Sequence, residues 1–190
     1  MYIFFDTETS GLPRSWSAPA SDVANWPRLV QIGWLTCDAD GQLQRSHQSL
    51  IKPQGFQITP EAVEVHGITT DVALRDGVDL GPVLAEFVAD VRASRVVVAH
   101  NLDFDQRVVQ AEFQRAQLAD PFVRKRRVCT MKETADFCRL PGKYGYKWPS
   151  LTELHRKLFG RPFGGAHGAL TDADACLRCY FRLRELGVLT

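Results

Sequence analysis

The stretch Tyr2-Ile3-Phe4-Phe5-Asp6-Thr7-Glu8-Thr9-Ser10-Gly11-Leu12 (residues 2–12) decides how this sequence is read. Residues 2–6 form an apolar run that ends on a carboxylate, short enough for a buried strand. Side chains two apart in a strand share a face, so Asp6 and Glu8 point the same way. Two ionised carboxylates side by side repel unless one keeps its proton or a cation lies between them. A hard divalent ion with oxygen ligands is the natural cation. Taken alone, an Asp-x-Glu pair is common and reads more readily as two surface acids at a strand end.

Working outward, residues 9–27 are rich in Gly, Pro, Ser and Trp and read as a long loop. Leu29 to Cys37 is a second strand, the turn signal Asp38-Ala39-Asp40-Gly41 follows, and residues 42–51 are its hairpin partner. Thr59-Pro60-Glu61 opens a short helix. Leu80, Val83, Leu84, Phe87, Val88 and Val91 recur at helical spacing. Residues 95–99 are another buried strand, and Val108, Val109, Phe113 and Ala116 mark a helix over 101–118. A short strand is expected at 128–130 and a polar, aromatic loop at 140–149. Ser150-Leu151-Thr152-Glu153 is a capping box whose helix Gly160 should close. A last helix is expected to start near Asp172, with Thr171 and Asp174 as a weaker capping pair. This order predicts one α/β domain, residues 1–190, with a mixed sheet.

Composition narrows the class. The chain has 190 residues, 45% hydrophobic and 24% charged, which excludes disorder, collagen and coiled coil as descriptions of the whole. No apolar run approaches the ~20 residues of a membrane span, and the first residues lack a basic leader. Five scattered cysteines point to a reducing compartment without a disulfide framework, hence the cytoplasm. The net charge of +1 conceals a division. Residues 1–95 hold 7 Lys/Arg against 12 Asp/Glu, whereas residues 121–165 hold 11 against 3. A concentrated basic segment suits an anionic partner, although it reads equally as a solvated, charge-rich face.

Two further clusters carry polar chemistry. His100-Asn101-Leu102-Asp103-Phe104-Asp105 follows a buried strand and opens a helix, the place where open α/β sheets bind ligands. Asp103 and Asp105 could equally cap that helix. In His167-Gly168-Ala169-Leu170-Thr171-Asp172, the acid heads the stripe Cys176, Cys179 and Leu183. An inward carboxylate is costly unless it is paired or holds a metal. His167, just upstream, is the type of side chain suited to accept a proton near neutral pH.

Asp-x-Glu on the first strand, His-Asn-x-x-Phe-Asp after a middle strand and His-x-x-x-x-Asp at the last helix occur in that order. Together they resemble the DnaQ-like DEDDh family of 3′–5′ exonucleases, over nearly the whole chain. Phe5 to Leu12 is similar to that family's first motif. Pro27 to Gly33 and Val65-His66-Gly67-Ile68-Thr69 are similar to runs in family members. The resemblance implies a ribonuclease H-like mixed sheet flanked by helices and hydrolysis of terminal phosphodiester bonds. It implies two divalent ions, Mg²⁺ or Mn²⁺, held by Asp6, Glu8, Asp105 and Asp172, with His167 as general base. Asp6 would bridge both ions, Glu8 and Asp172 would hold the nucleophile's ion, and Asp105 would act on the other. Asp103 and Asp174 fall outside the motif positions and are assigned to helix ends.

The same resemblance implies a terminal-nucleotide pocket of Thr7, Leu12, His66, Asn101 and Phe104. Leu12 and Phe104 read equally as core, and His66 as a hydrogen-bonded structural residue. Arg124, Lys125, Arg126, Arg127, Lys143 and Lys147 would hold backbone phosphates, with Tyr144, Tyr146 and Trp148 as stacking surfaces. Cys176 and Cys179 are expected to be small buried residues, and His47 and His155 surface residues. The expected partner is a single-stranded nucleic acid 3′ end, DNA before RNA, and not a membrane. A polymerase, for which the chain would be the proofreading subunit, and self-association remain open, as does a catalytically weak nucleic-acid-binding module.

Overall fold

The computed structural model describes residues 1–165 and 167–189. Five strands form one sheet in the order β3-β2-β1-β4-β5. They are β1 (Tyr2–Thr9), β2 (Leu29–Cys37), β3 (Leu43–Leu50), β4 (Val96–Ala99) and β5 (Arg126–Cys129). The sheet is mixed: β1 pairs antiparallel with β2 and β2 with β3, while β1 with β4 and β4 with β5 are parallel. Between β3 and β4 lie α1 (Pro60–His66), α2 (Thr70–Asp76) and α3 (Leu80–Ala93). Helix α4 (Leu102–Arg115) joins β4 to β5. After β5 come the short α5 (Thr130–Glu133) and α6 (Ala135–Cys138), a hairpin of β6 (Pro141–Gly142) and β7 (Gly145–Tyr146), α7 (Leu151–Phe159) and α8 (Ala169–Glu185).

Strand parity divides the core. Ile3 and Phe5 face α3 and α4, among Phe87, Val91, Val109 and Phe113. Phe4 faces the opposite side, among Leu154, Cys176, Tyr180 and Leu183 of α7 and α8. Asp6 and Glu8 continue Phe4's face, so the carboxylates emerge where the sheet meets α8. The parallel β1–β4 register (Phe4 beside Val98) brings the carboxyl ends of these two inner strands together.

Several expectations need correction. The last helix begins at Ala169, three residues before Asp172, with Gly168 at the N-cap position and no side-chain cap. Its first N–H groups are taken across the sheet: Ala169 donates to Gln31 Oε1 (3.0 Å) and Leu170 to Gln48 Oε1 (3.2 Å). A local capping pair at Thr171 and Asp174 is therefore unnecessary, and Asp174 pairs with Arg178 instead. His155 is not a surface residue; it is buried against Phe159 and Phe163, and its Nδ1 is bonded to the Arg161 carbonyl (2.8 Å). His47 does lie on β3, stacked on Trp34. The capping box at Ser150 and Glu153 forms, and Gly160 closes α7 in the left-handed conformation. All five cysteines are free and buried.

Candidate active site

Asp6, Glu8 and Asp172 each place a carboxylate oxygen within 4.8 Å of the other two. Two come from alternate positions on β1 and the third from the first turn of α8. Gly33, the β2 residue paired with Asp6, lets that turn approach. A Cβ at Gly33 would lie only 2.3 Å from the Leu170 amide nitrogen.

Asp105 is held differently. It is buried on the sheet side of α4, and its Oδ1 accepts from the Thr7 N–H (3.1 Å) and the Thr7 hydroxyl (2.7 Å). Its bonds reach across to β1 as well as to its own N–H in the first turn of α4, whereas Asp103 pairs with Lys132. Thr7 thus secures the fourth carboxylate from the strand that carries the first two. His167 is exposed, in a left-handed backbone conformation (φ 70°). Its backbone N–H donates to Asp172 Oδ2 (3.2 Å), which fixes the base of the histidine side chain beside the acid.

The electrostatics follow from crowding. Burial, then Asp105, Asp172 and Glu8, hold Asp6 well above the usual carboxylate range. Burial, then Asp172 and Asp105, push Glu8 up to about 8. Burial pushes Asp105 up to about 7 despite the opposing Thr7 bonds. Burial also raises Asp172, against the His167 N–H. The charged neighbours acting on Asp6 and Glu8 are themselves carboxylates, so protons or a cation must offset the cluster. Asp172 Oδ1 is buried with no hydrogen-bond partner. An orphaned carboxylate oxygen within an all-oxygen donor set fits a hard divalent cation.

Beside the cluster opens a cleft of about 650 Å³, large enough for a nucleotide-sized ligand. Thr7, Leu12, His66 and Phe104 line it; Asn101 does not, and sits at the N-cap position of α4 with φ 72°. Leu12 is 73% exposed, which excludes the core reading for it. Phe104 is half-buried against Trp16 and Trp26. His66 serves structure as well as lining: Nδ1 accepts from the Ile68 N–H (3.0 Å), and Nε2 is bonded to the Thr9 carbonyl (3.1 Å). Burial lowers its pKa, so it is a neutral donor at pH 7.

The 12–27 loop forms the outer wall of this cleft, through Arg14, Asn25 and Trp26. It is pinned by Asn25 to both backbone groups of Ser15 and by Arg115 to the Val23 and Trp26 carbonyls. Sequence reasoning missed Arg14, the one guanidinium lining the cleft among the described residues, because only the folded loop brings it there. In the basic segment, Lys125 is already committed: its Nζ donates to the Arg92 and Ser94 carbonyls at the end of α3. It is a helix-end clamp rather than a phosphate ligand. Tyr144, Tyr146 and Trp148 are exposed on or beside the β6–β7 hairpin, which answers against their packing onto the domain.

A ribonuclease H-like sheet with carboxylates gathered at the carboxyl ends of its inner strands defines a DnaQ-like nuclease domain, a hydrolase of phosphodiester bonds. Comparison with known proteins agrees. The Exonuclease (RNase_T) family model matches residues 3–180. Ribonuclease T of Actinobacillus pleuropneumoniae serotype 5b (strain L20) is 30% identical over 201 residues, 97% of this chain and 85% of that protein. Ribonuclease T of Histophilus somni (strain 129Pt) is 27% identical over 129 residues, 63% of this chain and 57% of that protein. E. coli Exonuclease I in complex with a dA16 oligonucleotide superposes with a TM-score of 0.75 at 20% identity, over 97% of this chain and 40% of that one. The chain thus spans less than half of Exonuclease I, and that likeness concerns the fold. The chain belongs to the Exonuclease (RNase_T) family, the DnaQ-like 3′–5′ exonucleases.

Proposed function

We propose that this protein removes nucleoside 5′-monophosphates one at a time from the 3′ end of a single-stranded nucleic acid. The observation that carries the reading is the Asp6–Glu8–Asp172 cluster, within 4.8 Å, beside a nucleotide-sized cleft. Asp6, Glu8 and Asp172 would hold divalent metal, Mg²⁺ or Mn²⁺, with Asp105 completing a site for two ions. Bound there, such ions lower the pKa of the attacking water and stabilise the departing 3′ oxygen.

The remaining work falls to the chain. His167 accepts the proton of the attacking water at an imidazole nitrogen, a transfer worth about 10²–10⁴-fold in such reactions. Thr7 keeps Asp105 in place. Leu12 and Phe104 give the terminal base and sugar apolar faces that do not discriminate sequence. In this reading the protein is a single catalytic domain that acts in the cytoplasm. No helix among the described residues is long and apolar enough to cross a membrane.

Relatives at up to 30% identity carry the name Ribonuclease T, whereas some of the fold neighbours were solved with DNA oligonucleotides. We therefore propose single-stranded RNA and DNA alike as substrates. Digestion of matched DNA and RNA oligonucleotides with Mg²⁺ or Mn²⁺, against an Asp6→Ala control, tests the proposal. Shortening of either polymer from its 3′ end supports it. A wild type that shortens neither, yet still binds them, returns the chain to the binding-module reading. Copurification with a polymerase would favour the proofreading subunit.

A further inference from the structure

A second cleft, about 300 Å³, lies on the outer side of α4, between that helix, β5 and α5. Its walls include the cations Arg107, Arg127 and Lys132, the acids Asp103 and Glu133, and the amides Gln106 and Gln110, so cations outnumber acids three to two. Neither Arg107 nor Arg127 makes a salt bridge among the described residues; Arg127 makes one long bond to the Phe122 carbonyl (3.4 Å), weaker than the two short bonds that hold Lys125. Lys132 is paired with the exposed Asp103, a contact that a phosphate can replace at little cost.

Aromatic faces flank this cluster on both sides. Trp16, 56% exposed, lies over Phe104 with ring centroids 5.6 Å apart, and its carbonyl accepts from Arg107. Trp148, 57% exposed, lies under the Lys132 ammonium at 5.5 Å. Phe104 lines the nucleotide cleft and Arg107 the second one. They stand at i and i+3 on α4, neighbours on the helix surface about 5–6 Å apart. One helical turn therefore separates the two clefts. The surface runs from Phe104 to Trp16, Arg107, Arg127, Lys132 and Trp148. Interleaved cations and aromatic rings along a groove suit a single strand, whose phosphates need charge and whose bases stack on any ring.

We infer that this groove holds the strand upstream of the terminal nucleotide, with Arg127 and Lys132 on its phosphates and Trp148 under a base. The inference rests on the 3′-exonuclease reading for the direction of the strand, but not for the groove itself. It assigns length dependence to the α4–β5 cleft and leaves the terminal cleft to the chemistry.

The test uses the full chain and the double variant Arg127→Ala/Lys132→Ala, both positions lying outside the core. Binding of fluorescein-labelled dT2 and dT12, and of the matching uridine oligomers, is followed by anisotropy in Ca²⁺ across a salt series. Cleavage of the dinucleotides in Mg²⁺ is measured in parallel. Losing two phosphate contacts should lower the dT12 salt slope by about 1.4, a weakening of roughly 25-fold at 0.1 M salt. Dinucleotide binding and cleavage should stay at wild-type level. An unchanged dT12 affinity overturns the inference, and so does an equal loss on dT2 and dT12. Absence of cleavage by the wild type overturns the exonuclease reading, while the binding series still decides the groove.

Discussion

Gly33→Ala tests how the third carboxylate reaches the first two. A Cβ at this position would sit 2.3 Å from the Leu170 amide nitrogen, 2.5 Å from its Cα and 2.6 Å from the Ala169 carbonyl carbon. Ordinary contact begins near 3.4 Å, so the start of α8 must retreat by about 1 Å. Backbone atoms on both sides leave no flexible side chain to yield. The retreat stretches the Ala169–Gln31 and Leu170–Gln48 bonds, each worth about 0.5–1.5 kcal/mol. Overpacking of this kind costs about 1–3 kcal/mol. A chain of this size loses roughly 2–4 °C in Tm per kcal/mol, so a drop of about 2–12 °C is expected. Asp172 lies in the displaced turn, and a misplacement of about 1 Å costs on the order of 10²-fold in turnover. The assays are thermal unfolding and release of nucleotides from a labelled oligonucleotide below the lowered Tm. Gly81→Ala, in the first turn of α3 where a Cβ meets nothing within 4 Å, is the control: it should leave turnover unchanged and should not lower Tm, since Ala favours a helix over Gly. Wild-type Tm in Gly33→Ala would refute the packing reasoning. A lowered Tm with intact turnover would refute the role given to Asp172.

The other predictions follow from the same centre. In EDTA, Glu8 and Asp105 keep protons up to about pH 8 and 7, whereas the unfolded chain releases them near pH 4. The native state therefore binds more protons between those limits, and stability falls as pH rises, by up to about 1.4 kcal/mol per pH unit for each group. Mn²⁺ replaces those protons, so the Tm gain on adding it should grow from pH 5 to pH 8; a gain independent of pH would contradict the carboxylate assignment. His167→Ala should lower kcat by about 10²–10⁴-fold while calorimetric Mn²⁺ affinity stays close to wild type. Unchanged kcat would remove His167 from the proton transfer.

Much of this architecture was legible because the controlling patterns are local. Alternation in β1 puts Asp6 and Glu8 on one face whatever packs above them. The apolar stripe of α3 and the capping box of α7 are each contained within a few residues. What escaped the reading depends on distant partners. His155 is buried because residues 161–163 fold back over it. Asp105 looks like a helix cap until Thr7, 98 residues away, is seen to hold it. The start of α8 is set by Gln31, Gln48 and Gly33, three residues with no motif of their own. Lys125 sits in a basic run that suggests phosphate, yet its ammonium closes the end of α3. Helix α2 and the β6–β7 hairpin are short, seven residues and two residues per strand, and leave little periodicity to detect.

The central claim is that Asp6, Glu8 and Asp172 hold the divalent metal that drives removal of 3′-terminal nucleotides. The direct measurement is a time course on a 5′-labelled single-stranded oligonucleotide, wild type against Asp172→Asn, with Mn²⁺ binding measured on both. The expected result is a ladder shortening one nucleotide at a time from the 3′ end, with 5′-monophosphate products. In the variant, both turnover and metal affinity should fall sharply. A variant that binds Mn²⁺ as the wild type does and degrades the oligonucleotide at the same rate would contradict it.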